Sequence, residues 1–276
     1  MLNDKVAIIT GSGRGIGQCI AKELAKQGAK VIIISRTQME IDQTVKEIGI
    51  NAFGIKGDVS SYDDAKRIVA ETIKKFKKID ILCTCAGIYG PIGKIEDNNV
   101  DDWVNTFKIN LFGTVYFVKE VIPYMKKQNK GKIILMSGAG APKPLANFSA
   151  YAASKTAIVN LTETLSEELK AFNIDVNAIA PGVVFTKLQD DLFKAGEKAG
   201  KDVIERMTKD KAKGGESPQK AADLAAFLSS DKSNGITGRL ISAIRDNYKE
   251  WNKTDIEQNE SFVIRRIDNF FFKKIK

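Results

Sequence analysis

Short apolar runs alternate with longer amphipathic stretches along most of the chain. Runs rich in β-branched residues predict buried strands at residues 6–10, 30–35, 52–59, 79–85, 132–137, 175–180 and 240–244. Stretches with helical periodicity lie between them, at residues 16–27, 38–48, 63–76, 101–127, 150–172 and 218–228. This alternation predicts an α/β fold, a doubly wound parallel sheet of about seven strands with helices on both faces, in three α/β/α layers.

The alternation extends over residues 1–245, which we interpret as one domain. Within it, residues 185–216 are strongly charged, helical in propensity and contain four glycines, a composition that suits a mobile substrate lid. The C-terminal segment, residues 246–276, carries three consecutive phenylalanines at 270–272. These aromatics predict a contact with another subunit or with substrate, and contact with an anionic membrane surface is the alternative.

Composition narrows the class of protein. The 276 residues are 43% hydrophobic and 28% charged, as in a soluble globular protein, and no apolar run reaches the roughly 20 residues of a membrane span. The chain has no apparent leader and its three cysteines form no disulfide framework, so we expect a cytoplasmic protein. Because histidine is absent, histidine-based triads and histidine zinc sites are excluded, and we expect no metal site.

The formal net charge of +9 does not by itself indicate nucleic acid. The lysines are interleaved with acidic residues along the predicted helices, which favours a solvated surface over a nucleic-acid groove. Part of the positive charge can serve an anionic cofactor.

A glycine cluster connects the first predicted strand to the first predicted helix. Glycines at such a turn let the backbone approach a pyrophosphate, and the following helix N-terminus supplies N–H groups to it. The pattern is T-G-x-x-x-G-x-G, beginning at Thr10, and its placement predicts a Rossmann-type dinucleotide site rather than an ordinary turn. The residues predicted to bind the cofactor here are Gly11, Ser12, Gly13, Arg14, Gly15, Ile16 and Gly17.

The end of the second predicted strand indicates which dinucleotide is bound. An NAD site usually has Asp or Glu there, against the ribose hydroxyl, whereas this chain has Ser35 and Arg36. A guanidinium can pair with a 2′-phosphate, and Arg14 adds a second cation. We therefore predict NADP(H) in preference to NAD(H). The alternative is that Arg36 merely begins a solvated helix.

Tyr151 and Lys155 lie four residues apart in a predicted helix and so share one face. A phenol is a poor acid–base catalyst at neutral pH, and a nearby ammonium favours its ionised form. Spacing alone is weak evidence, because Tyr62 and Lys66 have the same spacing at what we interpret as a solvated helix start. Tyr151, by contrast, follows a strand that ends at Ser137 and a loop of small residues.

In this order and spacing, the motifs resemble the short-chain dehydrogenase/reductase family over roughly residues 4–244. The glycine turn matches that family's cofactor loop, Tyr151 and Lys155 match its catalytic pair, and Asn110 matches an asparagine that links a water relay to the lysine. Further matches are an adenine-contacting pair, the end of a fourth-strand motif and a nicotinamide loop. The residues of these three motifs are Asp58 and Val59; Ala86 and Gly87; and Pro181, Gly182, Val184 and Thr186.

The resemblance implies an oxidoreductase that exchanges hydride between a nicotinamide coenzyme and an alcohol or ketone. Tyr151 would move the proton, Ser137 would hydrogen-bond the substrate oxygen, Lys155 would bind the nicotinamide ribose, and Asn110 would hold a water. The partner is then a small molecule rather than nucleic acid or a membrane interior. Family members commonly form tetramers through helices corresponding to residues 101–127 and 150–172, so we expect a homodimer or homotetramer.

The chain departs from the family pattern in three places. The family's serine most often stands 13 residues before the tyrosine, at Gly138 here, whereas Ser137 stands 14 before it and Ser149 is the alternative. The motif Asn-Asn-Ala-Gly reads Thr-Cys-Ala-Gly at residues 84–87. The Asp-Gly-Gly that usually follows the seventh strand is missing.

Two other functions compete with this interpretation. A regulator that binds the cofactor without chemistry would need none of the residues Tyr151, Lys155 and Asn110. An epimerase or dehydratase of the family's extended branch usually has a larger C-terminal domain and a different glycine spacing. The substrate itself is not readable, although its pocket would be built from residues 88–94, 138–148 and 183–216.

Overall fold

The computed structural model describes residues 1–138 and 140–251. Seven strands, all parallel, form one sheet. They are β1 (Val6–Thr10), β2 (Lys30–Ser35), β3 (Ala52–Lys56), β4 (Ile81–Thr84), β5 (Gly131–Met136), β6 (Ile174–Ala180) and β7 (Arg239–Ser242). The central strands β1, β4 and β5 are mostly apolar and are buried along their whole length, as expected where helices cover both sides of a parallel sheet.

Helices fill the connections between the strands. They are α1 (Gly15–Lys26), α2 (Gln38–Ile48), α3 (Tyr62–Phe76), α4 (Val100–Phe107), α5 (Gly113–Gln128), α6 (Ser149–Leu169), α7 (Lys187–Ala195), α8 (Lys201–Ala212) and α9 (Pro218–Ser229). Several begin at side-chain caps that the sequence encodes. Ser61 accepts a hydrogen bond from the Asp64 N–H at the start of α3, and Ser217 precedes Pro218 at the first position of α9.

The strand order is β3-β2-β1-β4-β5-β6-β7, so the order reverses between β1 and β4. Thr10 at the end of β1 pairs with Ile34 of β2 on one side and Thr84 of β4 on the other. In open α/β sheets of this kind, ligands bind outside the carboxyl ends of the strands at the reversal point. The predicted doubly wound sheet is therefore confirmed, and it defines where a ligand should bind.

Apolar side chains pack on both faces of the sheet. One cluster joins alternate positions of β1 and β2 to α1 and α9, and includes Ile9, Leu24 and Leu228. The other joins the intervening strand positions to α3, α5 and α6, and includes Ile8, Phe117 and Ile158. Both clusters are buried, so the three-layer arrangement holds the strand ends that form the cleft in fixed positions.

The long helix predicted at residues 101–127 is interrupted. Residues 108–112 form one π-helical turn between α4 and α5, and Asn110 lies within it. A π turn inserts one residue into the helical repeat, which is common at functional sites and leaves no signature in hydrophobic periodicity. The third, fourth and seventh strands are also shorter at their C-terminal ends than predicted, because the chain leaves the sheet to form the cleft.

The segment predicted to be helical at 185–216 contains α7 and α8, joined by a short 3-10 turn at Gly196–Ala199. At the start of the tail, Tyr248 is buried and packs against Phe227 of α9, with ring centroids 5.3 Å apart. The aromatic segment 270–272 lies outside the described residues. None of the helices in the described ranges combines the length and apolar character that crossing a membrane requires.

Candidate active site

A cleft of about 590 Å³ opens at the carboxyl ends of the strands, where the strand order reverses. It extends from the turn after β1, past the ends of β2 and β4, to α6 and the loop after β6. Most of the predicted site residues line it. These are Gly11, Gly13, Arg14, Gly15, Ile16, Gly17, Ser35, Arg36, Asp58, Val59, Ala86, Gly87, Ser137, Tyr151, Lys155, Pro181 and Thr186.

The turn after β1 presses closely against the neighbouring strand end. Gly11 has φ +63°, and a β-carbon there would lie 2.8 Å from the Ala86 backbone. The Thr10 hydroxyl accepts hydrogen bonds from the Cys85 and Ala86 N–H groups at 3.1 and 3.3 Å, which fixes the two strand ends together. Only glycine satisfies both the left-handed conformation and this contact.

The turn leaves the N-terminus of α1 accessible from the cleft. In the described part of the chain, no side chain caps the first N–H groups of α1. Unpaired N–H groups at a helix N-terminus, reached over bare glycine backbone, bind the pyrophosphate of a dinucleotide. The residues present therefore fit such a group.

Ser12 supports this turn from behind. Its hydroxyl donates to the Ile9 carbonyl at 2.6 Å and accepts from the Ile34 N–H at 2.9 Å, and the side chain is fully buried. Its side chain thus holds β1 and β2 to the turn, and does not line the cleft. Gly182 and Val184 also lie behind the lining, since Val184 is buried and a β-carbon on Gly182 would meet Ile244.

The outer end of the cleft carries two arginines and two carboxylates. Arg36 follows β2, and its Nη1 lies 3.8 Å from Asp58 Oδ2. Arg14 Nη1 lies 2.5 Å from Glu40 Oε1, and the Ser35 hydroxyl donates to Glu40 Oε2 at 2.8 Å. Both predicted cations are present at this end, each beside an acidic side chain.

The inner end of the cleft contains Tyr151 and Lys155, one turn apart on α6. Both side chains are buried, and Lys155 Nζ lies 5.8 Å from the centroid of the Tyr151 ring. Lys155 Nζ donates to the Met136 carbonyl at 2.8 Å, which anchors the ammonium to the end of β5. The structure therefore brings the phenol and the amine into one wall of the cleft, as their spacing predicts.

Burial favours the uncharged form of both groups and shifts the pKa of each accordingly. It lowers the pKa of Lys155 to about 8, with Cys85 acting in the opposite direction. It raises the pKa of Tyr151, and Tyr89 raises it further. Burial also raises the pKa of Cys85 to about 12, so this thiol is neutral and unreactive beside the amine.

Asn110 lies behind the lining and fixes the segment that follows β4. Its Oδ1 accepts from the Ile88 N–H at 2.9 Å, while its Nδ2 donates to the Ile88 carbonyl at 2.9 Å and to Ser154 Oγ at 3.0 Å. Asn110 Oδ1 and Lys155 Nζ both approach Gly87, at 3.2 and 3.5 Å from where a β-carbon would lie. The π turn thus directs the asparagine toward the lysine.

The residues that follow β5 face different neighbours. The Ser137 hydroxyl donates to the main-chain carbonyl of Lys155 at 3.3 Å. Gly138 lies directly beside the Tyr151 hydroxyl, and a β-carbon at this position would overlap it. Ser149, the alternative serine, accepts from the Trp103 indole N–H at 3.1 Å and so faces α4. The catalytic role of Ser137 stays a prediction.

An apolar cluster covers the Tyr151 end of the cleft. Tyr89 packs edge-on against Tyr151 with ring centroids 4.8 Å apart, and Leu192 of α7 and Met207 of α8 join the same cluster. Gln189 of α7 links this cluster to the loop after β6. Its Oε1 accepts from the Thr186 N–H at 3.1 Å, and its Nε2 contacts the Tyr89 hydroxyl at 3.5 Å.

Position in the fold distinguishes the two Tyr-x-x-x-Lys sequences. Tyr62 begins α3, where its hydroxyl donates to Glu120 at 2.7 Å and Lys66 Nζ lies over its ring at 4.3 Å. Neither residue lines the cleft. The described residues also bring together no group of three cysteine, aspartate or glutamate side chains that could hold a metal ion.

Sequence reasoning missed three contributors to the site. Met136 contributes a main-chain oxygen to Lys155, which no side-chain pattern reveals. Gly138 provides the space for the Tyr151 hydroxyl. Glu40 reaches the cleft from α2, where it contacts Arg14 and Ser35. The sequence clue that could have indicated it is an acidic residue four positions after Arg36.

The fold and the cleft together define a dinucleotide-binding protein. A sequence profile of the family described as short chain dehydrogenase matches residues 5–197. Dehydrogenase/reductase SDR family member 4 of Caenorhabditis elegans is 37% identical over 241 residues, which cover 86% of this chain and 92% of that protein. The chain therefore belongs to the short-chain dehydrogenase/reductase family, a family of oxidoreductases that use a nicotinamide coenzyme.

Solved structures agree with this assignment. NAD+-bound xylitol dehydrogenase is similar with a TM-score of 0.81 and 28% identity, over 87% of this chain and 98% of that one. Actinorhodin polyketide ketoreductase with NADPH is similar with a TM-score of 0.81 and 26% identity, over 88% of this chain and 97% of that one. One of these neighbours holds NAD+ and the other NADPH, so the likeness alone leaves the choice between NAD(H) and NADP(H) open.

Proposed function

We propose that this protein is an NADP(H)-dependent oxidoreductase that interconverts an alcohol and a ketone, with Tyr151 as the general acid and base. The observation that carries the proposal is one continuous cleft. A glycine turn and two arginines lie at its outer end, and a buried phenol beside a buried amine lies at its inner end.

When bound, the coenzyme supplies or accepts the hydride. The protein's own residues handle the proton. Tyr151 donates its hydroxyl proton to the carbonyl oxygen during reduction, and accepts it from the alcohol during oxidation. Because burial and Tyr89 raise the pKa of this phenol, proton release needs positive charge nearby, which Lys155 provides in its protonated form.

The remaining residues position this pair. Met136 holds the Lys155 amine beside the Tyr151 ring, and Asn110 orders the Ile88 segment next to it and would hold the water that returns a proton through Lys155. Ser137 lines the cleft and would hydrogen-bond the substrate oxygen. For that role its hydroxyl must exchange the Lys155 carbonyl, 3.3 Å away, for the substrate.

The preference for NADP(H) rests on Arg36 and Arg14. Both arginines line the outer end of the cleft, and the end of β2 offers Ser35 where NAD sites usually carry an acid. Arg36→Asp should shift the preference toward NAD(H) by roughly 10–100-fold, because a favourable charge contact with the 2′-phosphate becomes a repulsive one. The measurement is the ratio of kcat/KM with NADPH to that with NADH. An unchanged ratio would show that Arg36 does not contact the phosphate.

The substrate side of the cleft favours an apolar ketone or alcohol. Tyr89, Phe148 and Leu192 pack in one apolar cluster with Tyr151, and Met207 of α8 joins it. This packing supports a role for α7 and α8 as a substrate lid. The proposed activity is tested by a panel of carbonyl compounds and alcohols of graded apolar size, followed by NADPH absorbance beside NADH. If the protein binds NADPH but converts none of the compounds in the panel, the result would favour a non-catalytic cofactor-binding protein.

We infer a cytosolic homodimer or homotetramer. The free thiols of Cys19, Cys83 and Cys85 suit a reducing compartment, and the exposed Val104 and Phe112 on α4 and the π turn suit a subunit contact.

A further inference from the structure

Glu40, a residue of α2, lines the outer end of the cleft. Its carboxylate joins two elements: one oxygen is 2.5 Å from Arg14 of the glycine turn, and the other accepts from Ser35 at the end of β2 at 2.8 Å. Its β-carbon also lies against Gly13, where an added β-carbon would come within 2.9 Å of it. Glu40 is thus packed into this corner, and its side chain is 22% exposed.

This corner is where the 2′ position of an adenosine ribose is bound in folds of this kind. The pyrophosphate lies on the glycine turn, and the ribose reaches the end of the second strand, where NAD sites place an acid and NADP sites an arginine. Glu40 touches both of these elements. The strand β2 ends in Ser35 and so has no acidic residue at this position. Glu40 supplies a carboxylate there from α2 instead.

The charges at this corner cancel. Arg14 is paired with Glu40, and Arg36 lies 3.8 Å from Asp58. A 2′-phosphate entering here meets two guanidiniums and, beside them, two carboxylates. The Glu40 carboxylate repels the phosphate and also pairs with Arg14. To bind the phosphate, Arg14 must either leave Glu40 or share its N–H donors between the two anions.

We propose that Glu40 is a specificity-determining residue that limits the preference of this enzyme for NADP(H) over NAD(H). This inference rests on the proposed function and deepens it. The arginines select the 2′-phosphate, and Glu40 holds that selection well below what the arginines alone would give. A purely structural Glu40, which only orders Arg14 for phosphate binding, would have the opposite effect when its charge is removed.

The test is Glu40→Gln, which keeps the shape of the side chain and its hydrogen-bonding capacity and removes its charge. Glu47→Gln is the matched control, because Glu47 lies on the same helix and pairs with Lys22 at 2.5 Å, away from the cleft. Calorimetric dissociation constants would be measured for NADPH and NADH, and for adenosine 2′,5′-bisphosphate and AMP, which isolate the adenosine end.

For Glu40→Gln we expect NADPH and the bisphosphate to bind roughly 3–30-fold more tightly, the range expected for one half-screened charge. The dissociation constants for NADH and AMP should change by less than about threefold or increase, since the ribose hydroxyls carry no charge. Glu47→Gln should leave all four constants at their wild-type values. Glu40→Ala, which also releases Arg14, should move the ratio in the same direction as Glu40→Gln.

Two results would overturn the inference while leaving the proposed function intact. The first is that the ratio of the NADPH to the NADH dissociation constant is the same in Glu40→Gln as in Glu47→Gln. The other is weaker NADPH binding in Glu40→Gln, which would assign Glu40 the structural role. A wild-type chain that binds neither NADPH nor NADH would overturn both the proposed function and the inference.

Discussion

Replacing Asn110 by alanine removes three hydrogen bonds from a side chain that is 1% exposed. The substitution leaves the Ile88 N–H, the Ile88 carbonyl and the Ser154 hydroxyl without this partner. A buried polar group left without a partner costs about 1–3 kcal/mol. Because the Ile88 groups can recover part of this through water, we expect the free energy of unfolding to fall by about 2–4 kcal/mol.

Asn177 provides a matched control for this variant. It is also buried, and its amide bridges two main-chain groups, donating to the Ile236 carbonyl at 2.6 Å and accepting from the Arg239 N–H at 3.2 Å. These contacts lie between β6 and β7, away from the cleft. Asn177→Ala should therefore lose similar stability with turnover intact, provided that both variants are assayed where they are folded.

The two variants should separate in turnover. Asn110→Ala releases the Ile88 segment beside Gly87 and Lys155, and we expect kcat to fall at least about tenfold through lost positioning. Urea unfolding measures the stability change, and the carbonyl-reduction assay measures kcat. A loss of stability under about 1 kcal/mol in Asn110→Ala, or equal kcat in both variants, would refute this account of the π turn.

Three further predictions concern the inner end of the cleft. Because the pKa of Lys155 is about 8 when folded and 10.5 ordinarily, the unfolded chain holds a proton that the folded chain has released, so Lys155 should contribute about 1 kcal/mol of added stability from about pH 8 to 9. Lys155→Met should remove this contribution, and the difference between the two chains cancels the effects of Lys132, whose pKa burial lowers, and of Cys83, whose pKa burial raises; identical slopes would show that Lys155 is not a buried titrating group. Gly138→Ala, whose β-carbon would overlap the Tyr151 hydroxyl, should lower kcat by roughly 100-fold while the NADPH dissociation constant stays within about threefold; unchanged kcat would mean that the phenol moves freely. Ser137→Ala should lower kcat with little loss of NADPH binding, whereas Ser149→Ala, with its hydroxyl on Trp103, should not; the reverse result would show that the serine was assigned wrongly.

The sequence predicted the sheet well because strand and helix periodicities are local. Each strand of the predicted set exists, and α2 has the predicted bounds. The π turn at residues 108–112 could not be predicted, because it adds one residue to a helix whose apolar pattern continues through it. Strand ends also depend on where the chain turns into the cleft, which tertiary contacts decide.

The candidate site was predictable where chemistry depends on spacing within one element. Tyr151 and Lys155 share a face of α6 whatever the rest of the fold does. The contact of Glu40 with Arg14 joins residues 26 positions apart in the chain, and it forms only when α2 packs against the glycine turn. The direction of the Ser137 hydroxyl depends likewise on the course of the loop after β5, which spacing alone does not determine.

The central claim is that the Tyr151 hydroxyl moves the proton. Tyr151→Phe removes that hydroxyl and keeps the ring packed against Tyr89, while Tyr62→Phe makes the same change in the other Tyr-x-x-x-Lys sequence. In Tyr151→Phe, single-turnover reduction of a carbonyl substrate by bound NADPH should slow by roughly 10²–10⁴-fold, while the NADPH dissociation constant stays unchanged. In Tyr62→Phe, the rate of the same reduction should be unaffected. Near-normal reduction by Tyr151→Phe would contradict the account.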